Sequence, residues 1–255
     1  MSNASRPAAP MRTLEHQAPR PDFSVVVPLY NERGNLGPLR NELVPVMESL
    51  GGSFEVIFVD DGSTDGSAEV LRALRSADPR IRVLTFERNA GQTAAMAAGF
   101  DAARGAVVVT LDADLQNDPR DIPLLIEKLD GYDAVIGWRA QRRDTLLRRA
   151  SSRIGNAVRN ALSDDDIIDT GCSLKAYRRE ALARIKLFTG MHRFLPTLLK
   201  MEGFRVFQVK VGHRPRLSGD SKYGVRNRLV KSFTDLLAVR WMKRRTLRYR
   251  VTEEE

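Results

Sequence analysis

The chain has 255 residues, 42% of them hydrophobic, enough for one cored domain with or without a distinct tail. Its single cysteine, Cys172, excludes an intrachain disulfide and fits a reducing compartment, and its three scattered histidines (His16, His192, His213) suggest no zinc site. No stretch approaches the roughly 18–20 apolar residues that cross a bilayer, and the net charge of +9 requires a partner or a surface to account for it.

Met1 to Asp22 is rich in Pro, Ala and Arg and lacks an apolar signal core, so residues 1–22 read as a disordered leader. Phe23 to Pro28 then reads as a first strand. Leu36 to Leu50 reads as a helix in which Pro38 suits only the first turn and Pro45 predicts a kink. Phe54 to Val59 is a second strand. Ser67 to Ala77 is a helix entered through Ser63, Thr64 and Asp65, all good capping residues.

Ile81 to Phe86 predicts a third strand. Gln92 to Arg104 predicts an alanine-rich helix closed by Gly105 in a left-handed cap. Val107 to Leu111, β-branched and apolar, is a fourth strand, with a helix over Pro119–Leu129 and a fifth strand over Ala134–Gly137 after it. This alternation predicts an α/β domain with a mostly parallel sheet and helices on both faces.

In such sheets, ligands bind beyond the carboxyl ends of the strands. Each strand here runs into polar residues: Tyr30-Asn31-Glu32, then Asp60-Asp61-Gly62-Ser63, then Arg88-Asn89-Ala90-Gly91, then Asp112-Ala113-Asp114, then Trp138-Arg139. Two carboxylates one residue apart at the end of a buried strand carry a large desolvation penalty unless paired. A divalent cation bridging to phosphate oxygens would remove that penalty. The alternative is that one carboxylate caps the helix near Pro119 while the other faces water. Neither Gly-x-Gly-x-x-Gly nor the P-loop pattern lies after any strand, which argues against dinucleotide-binding and P-loop folds.

The ordered set Pro28-x-Tyr30-Asn31-Glu32, Asp60-Asp61-Gly62-Ser63, Asn89-x-Gly91 and Asp112-Ala113-Asp114-Leu115-Gln116 with Pro119 resembles family 2 inverting glycosyltransferases of the GT-A fold. More narrowly, it is similar to polyprenyl-phosphate glycosyltransferases related to dolichyl-phosphate mannose synthase, over roughly residues 23–223. The resemblance implies a nucleotide-sugar site formed by Pro28, Tyr30, Glu32, Asp60, Asp61, Asn89, Gly91, Asp112, Ala113 and Asp114. It implies Mg²⁺ or Mn²⁺ at Asp112, Asp114 and Gln116, with two acids sufficing because Mg²⁺ keeps waters and takes substrate phosphates. Asn117-Asp118 lengthens the turn before Pro119 by one residue, with no change in chemistry expected.

By the same resemblance, Arg139 and Arg153 act on phosphate groups, a use that forked guanidinium bonds suit. Arg142, Arg143, Arg148 and Arg149 read as a solvated helix face, and Asp164 to Asp166 as a solvated loop. Asp169-Thr170-Gly171-Cys172-Ser173-Leu174-Lys175 resembles a further segment of the family, and by it Asp169 is placed near the acceptor, as a base or as an orienting group; Cys172 reads as a small buried residue. Arg216-Leu217-Ser218-Gly219-Asp220-Ser221-Lys222 resembles the segment that sets lipid-phosphate users apart. It implies that Arg216, Ser221 and Lys222 hold phosphates and that the loop closes over the site. Asp114, Asp169, Arg139 and Arg216 are the implied catalytic set.

The positive charge gathers at the end of the chain. Fourteen Lys and Arg between Arg205 and Arg250 face only Asp220 and Asp235, a local +12 that leaves the remainder at −3. Residues 225–255 read as a basic amphipathic helical tail, with Val225, Leu229, Phe233, Leu236, Leu237 and Trp241 on one face. Such a helix either packs on the domain or lies on an anionic cytoplasmic leaflet, and the expected lipid substrate favours the membrane.

The resulting expectation is a glycosyltransferase domain over 23–224, peripheral at the cytoplasmic face of the membrane directly or through a separate membrane protein partner. It would move a sugar from a nucleotide-diphosphate donor such as GDP-mannose or UDP-glucose to a polyprenyl phosphate. The alternatives are a soluble or polysaccharide acceptor, or a basic nucleic-acid-binding protein. The last rests on composition alone, since few aromatics interleave with the C-terminal basic residues, and no nucleic-acid partner is expected.

Overall fold

Apolar β-branched runs form the strands expected of them in the computed structural model, which describes residues 19–139, 166–215 and 225–246. β1 (Phe23–Leu29), β2 (Phe54–Asp60), β3 (Ile81–Thr85), β4 (Val107–Thr110) and β5 (Ala134–Arg139) come in chain order, with β6 (Lys175–Arg178) and β7 (Val206–Val211) beyond them. They form one seven-stranded sheet ordered β3-β2-β1-β4-β6-β5-β7. Only β6 runs against its neighbours, pairing antiparallel with both β4 and β5. It is four residues long and flanked by Lys175 and Arg178, too short and too charged at its ends to read as a strand from sequence.

Helices cover both faces. α1 (Arg33–Ser49), α2 (Ser67–Ala77) and α4 (Ile122–Glu127) bury Leu36, Leu39, Leu43, Leu71 and Leu125 against one face. α3 (Gln92–Ala102), α5 (Arg179–Ala183) and α6 (Leu195–Met201) bury Ala95, Met96, Leu182, Leu195 and Leu199 against the other. Each helix buries apolar side chains at helical spacing, which is what fastens it to the sheet. α7 (Val225–Arg245) lies beyond β7.

Two local expectations change. α1 starts at Arg33, so Pro38 lies in its interior, and Pro38 and Pro45 both sit on its solvent-facing side. There, the hydrogen bonds they forgo lie where water can substitute. The early start is supported from outside the helix: Asp65 accepts from the Arg33 N–H at 3.1 Å, and Ser67 Oγ from the Glu32 N–H at 3.2 Å. Asp65 also accepts from Ser67 N–H at 3.0 Å, so one carboxylate serves the starts of α1 and α2.

Gly105 is the second correction. It forms no left-handed cap; α3 gives way to extended backbone at Ala103. The role of Gly105 is close approach, since a Cβ there would lie 2.5 Å from the Ser24 nitrogen of β1.

The strand order fixes where a ligand can sit. From β1 the chain steps outward to β2 and β3, then crosses back to place β4 on the other side of β1. The connections therefore diverge beyond the carboxyl ends of β1 and β4, opening a crevice there. Register sets Asp60 level with Leu29, and Thr110 level with Val26, so Asp112 emerges beside the end of β1.

Candidate active site

The crevice is bordered on one side by Pro28 near the end of β1 and by Tyr30 and Glu32 just beyond it. Asn31 holds a left-handed backbone (φ 56°), an arrangement Asn tolerates better than most residues, and Ser63 Oγ accepts its N–H at 2.8 Å. Glu32 accepts from Asn35 Nδ2 at 2.6 Å.

Asp60 and Asp61 part company here. Asp60 is fully buried at the end of β2; Oδ1 accepts the Ser63 N–H at 2.9 Å, while Oδ2 is buried with no hydrogen-bond partner among the described residues. Asp61 is fully committed to the neighbouring loop, accepting from Ala90 N–H at 2.7 Å, Gly91 N–H at 2.9 Å and Asn89 Nδ2 at 2.9 Å. Asp61, Asn89 and Gly91 thus form one clamp that fixes the entry to α3.

After β4 the chain makes a tight polar turn. Asp112 Oδ1 accepts from Gln92 Nε2 at 2.9 Å, and its backbone N–H donates to Ser173 Oγ at 3.2 Å. Burial, reinforced by the charge of Asp114, pushes its carboxyl up to about 6. Asp114 is buried and accepts the Gln116 N–H at 3.2 Å. Leu115 between them sits in the left-handed region at φ 60°, a strained conformation for a residue with a Cβ and one found where function constrains the backbone. Ala113 points into the apolar core, leaving only its backbone for a ligand.

Asn117 does more than lengthen the turn. It is buried, and its Oδ1 accepts from Ser173 Oγ at 2.6 Å, so Asn117, Ser173 and the Asp112 backbone form one chain of hydrogen bonds. Asp118 starts the 3-10 turn Pro119–Asp121, accepting from Arg120 N–H at 3.0 Å and pairing with Arg214 at 2.7 Å. The cap and the candidate ligands are therefore different acids, and Asp112 and Asp114 stand at the crevice without capping a helix.

The opposite wall is cationic. Arg139, at the end of β5, makes a forked pair with Asp169: Nε to Oδ2 at 2.7 Å and Nη2 to Oδ1 at 3.0 Å. Burial disfavours its charge, but Asp169 more than offsets this and raises the guanidinium pKa above the ordinary arginine value. Lys175, first residue of β6, is buried and lines the same cavity as Asp112, Cys172, His192 and Arg193. Its side chain makes no hydrogen bond or ion pair within the described residues, and burial lowers its pKa below the ordinary lysine value. Cys172 is a buried thiol whose pKa burial raises.

Pro28, Asp60, Asp112, Asp114 and Arg139 lie at the carboxyl edge of the sheet, as their places at or after strand ends require, and Asp169 joins them because it precedes the antiparallel β6 and pairs with Arg139. Arg153, Arg216, Ser221 and Lys222 lie outside the described residues, as do Arg142, Arg143, Arg148, Arg149, Asp164, Asp165 and the first eighteen residues. Sequence patterning does not single out Lys175, Ser173, Gln92 or the His192–Arg193 pair as site residues. The available signal is that Ser173 and Lys175 close the segment from Asp169 that resembles the family, without a role being read for either.

No group of three or more His, Cys, Asp or Glu side chains among the described residues is placed to cage a metal ion. Asp112 nevertheless lines the crevice with the charge of Asp114 beside it, a hard oxygen environment. It suits a cation that completes its shell with phosphate oxygens and water.

Residues 24–186 match the family described as glycosyl transferase family 2. A dodecaprenyl-phosphate galacturonate synthase from Rhizobium johnstonii is 38% identical over 241 residues, 92% of this chain and 71% of that protein. An undecaprenyl-phosphate 4-deoxy-4-formamido-L-arabinose transferase from Edwardsiella ictaluri is 38% identical over 216 residues, 84% of this chain and 66% of that protein. Among solved structures, glucosyl-3-phosphoglycerate synthase from Mycobacterium tuberculosis, in complex with Mg²⁺ and uridine diphosphate, superposes with a TM-score of 0.66 at 21% identity. That match covers 88% of this chain and 79% of the other. A mannosyltransferase from Pyrobaculum calidifontis, in complex with GDP-mannose and Mn²⁺, superposes at 0.62 and 22% identity, over 86% and 64% of the two chains. With the sheet order and the acidic crevice, these likenesses place the chain in glycosyltransferase family 2, as a glycosyltransferase of the GT-A fold.

Proposed function

We propose that the chain transfers a sugar from a nucleoside diphosphate to a polyprenyl phosphate, inverting the anomeric carbon. The observation that carries the chemistry is the electrostatic meeting, at the β1/β4 crevice, of Asp112, crowded by Asp114, with the part-buried Arg139–Asp169 fork. The acceptor class rests on the two relatives at 38% identity, whose names specify dodecaprenyl and undecaprenyl phosphate.

The nucleoside sits over Pro28, Tyr30 and Glu32. Asp60 Oδ2, without a partner among the described residues, is the acceptor left for a donor hydroxyl or base N–H, and Asp61 serves by holding the Asn89–Gly91 loop. Asp112, Asp114 and Gln116 hold Mg²⁺ or Mn²⁺, which when bound neutralises charge on the diphosphate. Arg139 stabilises phosphate charge, and Arg153 and the Arg216–Lys222 segment supply further cations.

The lipid phosphate is already an anion at neutral pH, so its attack needs no strong base. One of its oxygens bonds to the anomeric carbon from the face opposite the departing nucleotide. The electron pair of the broken bond leaves on the diphosphate. Asp169, with both oxygens on Arg139, fits an orienting role better than a base. Catalysis is then chiefly positioning and preorganised charge.

The membrane reading rests on α7. Leu236 and Val239 pack against Met191, Phe194 and Leu198, so this helix is docked on the domain. Leu237 and Trp241 point outward, 44% and 63% exposed, among Arg240, Lys243, Arg244 and Arg245. Leu236 and Leu237 thus lie on different faces, not on the one stripe expected, whose Val225, Leu229 and Phe233 side chains lie outside those described, and the outer set suits peripheral binding to an anionic cytoplasmic leaflet.

Asp114→Ala tests the core of the proposal. The variant is expected to keep the wild-type unfolding transition while losing transfer by at least about a thousandfold, since it removes charge stabilisation of the leaving group. Near-normal turnover with added Mg²⁺ or Mn²⁺ would remove the metal assignment.

A further inference from the structure

Lys175 is the least explained charge among the described residues. Its side chain is 3% exposed, yet it makes no hydrogen bond or ion pair within the described residues. A buried ammonium without a partner is strongly disfavoured, so a neighbouring charge must compensate it through space or a ligand must meet it. The fold determines what that neighbour is. Lys175 pairs with Thr110 across the β4–β6 ladder, and Thr110 lies two residues before Asp112. Lys175 and Asp112 line the same cavity, together with Cys172 and Ser173. The Arg139–Asp169 fork neutralises itself internally, which leaves Asp112, in the same cavity and coupled to Asp114, as the carboxylate that faces Lys175 through space.

Arg193 also lines this cavity, but it is partly exposed and water screens it. Lys175 is shielded from water, so its field on the acid pair is the more persistent. The strand holds it in place: β6 is the one antiparallel strand, inserted between β4 and β5, and its first residue delivers the ammonium beside the acidic turn.

We propose that Lys175 is a positioning residue that serves as the internal counter-charge of the Asp112–Asp114 pair, weakening metal binding to the empty site and strengthening binding of the metal together with a nucleoside diphosphate. The inference rests on the metal–diphosphate reading and adds a direction to it. Without Lys175 the acid pair is one charge more negative in its surroundings. A lone dication then binds more tightly, whereas an incoming diphosphate meets one positive charge fewer. The two effects have opposite signs, which loss of packing would not produce.

The test is calorimetric, on the full chain, without turnover. Mn²⁺ is titrated alone, then UDP and GDP are each titrated in saturating Mn²⁺, for wild type, Lys175→Met and Lys175→Arg. Lys175→Met is expected to bind Mn²⁺ about fivefold or more tightly, and the better of the two nucleotides about fivefold or more weakly, as befits a unit charge in a partly screened site. Lys175→Arg is expected to stay near wild type in both titrations.

Weakening of both ligands by Lys175→Met, or no change in either, overturns the inference. If the methionine variant does not fold, as judged by its thermal transition, Lys175→Gln carries the same expectation and the same contrary result. Wild-type protein that binds both nucleotides equally well with and without Mn²⁺ overturns instead the metal reading on which the inference rests.

Discussion

Asp60 and Asp61 are adjacent and chemically identical, yet their surroundings divide their work. Asp61 spends both oxygens on the Asn89–Gly91 loop, and Asp60 keeps one buried oxygen without a partner in the described protein. Asp112 and Asp169 divide in a similar way: one is crowded by another carboxylate, the other is paired with arginine. That pairing makes a prediction. Asp169→Asn loses the charge that holds Arg139 and is expected to reduce kcat about a hundredfold, on the scale of mispositioned catalytic groups. The pH–rate profile should keep its shape, because an orienting group contributes no proton-transfer limb. Loss of an ionisation from the kcat/KM profile would instead identify Asp169 as a base. Asp60, Asp61 and Asp112 are legible in the sequence because charge after a buried strand is conspicuous, whereas Asp169 is reached only through the family resemblance. Their division of labour is not, since it depends on partners about 30 residues away. Lys175 escapes a sequence reading because a lysine looks ordinary until its burial is known.

At the scale of elements, strands and helices with strong apolar patterns are readable, and those fixed by distant partners are not. β1 to β5 emerge where runs such as Val107–Val109 predict them, whereas β6 exists only because β4 and β5 pair with both its edges. The start of α1 is set by Asp65 and Ser67 from the far side of β2, a support invisible to local capping rules. Glu55 of β2 is another such long-range device. It is buried and accepts from Ser24 Oγ at 2.7 Å, Arg104 N–H at 2.8 Å and Arg82 at 2.7 Å, tying β1, β2, β3 and the end of α3 together. Burial pushes its pKa up, but these bonds outweigh burial and hold it below the ordinary value of 4.5. Its contribution is therefore complete above the unfolded-state pKa and is lost as pH falls through the lower folded-state value. Glu55→Gln is expected to destabilise the domain by about 2 kcal/mol at neutral pH, a figure discounted because both arginines are partly exposed. The difference from wild type should shrink as the pH is taken below that range. A difference independent of pH in urea unfolding would show that hydrogen bonding or packing, not charge, is what Glu55 supplies.

Across the whole molecule, sheet order brings residues far apart in sequence into one crevice, and α7 adds a surface beside it. The inner face of α7 packs on the Met191–Phe194 turn, which also presents His192 and Arg193 to the cavity. Sequence periodicity locates the helix but assigns Leu236 and Leu237 to one face. The difference arises because Leu236 and Val239 have a domain to pack against, a fact the helical wheel does not contain. Replacing Leu237 and Trp241 together with serine should weaken sedimentation with anionic vesicles about tenfold or more, leaving thermal stability nearly unchanged. Unchanged vesicle binding would remove α7 as the membrane contact.

Metal-dependent transfer to a polyprenyl phosphate is tested most directly by an assay with purified protein. UDP- and GDP-sugars carrying labelled sugar are incubated with undecaprenyl phosphate, with and without Mg²⁺ or Mn²⁺, and the lipid-extractable label is measured. A labelled polyprenyl-phosphate sugar of inverted anomeric configuration is expected from at least one donor, and only when the divalent ion is present. Transfer of the label to a soluble sugar or polysaccharide, with none reaching the lipid across the whole donor panel, would contradict that function.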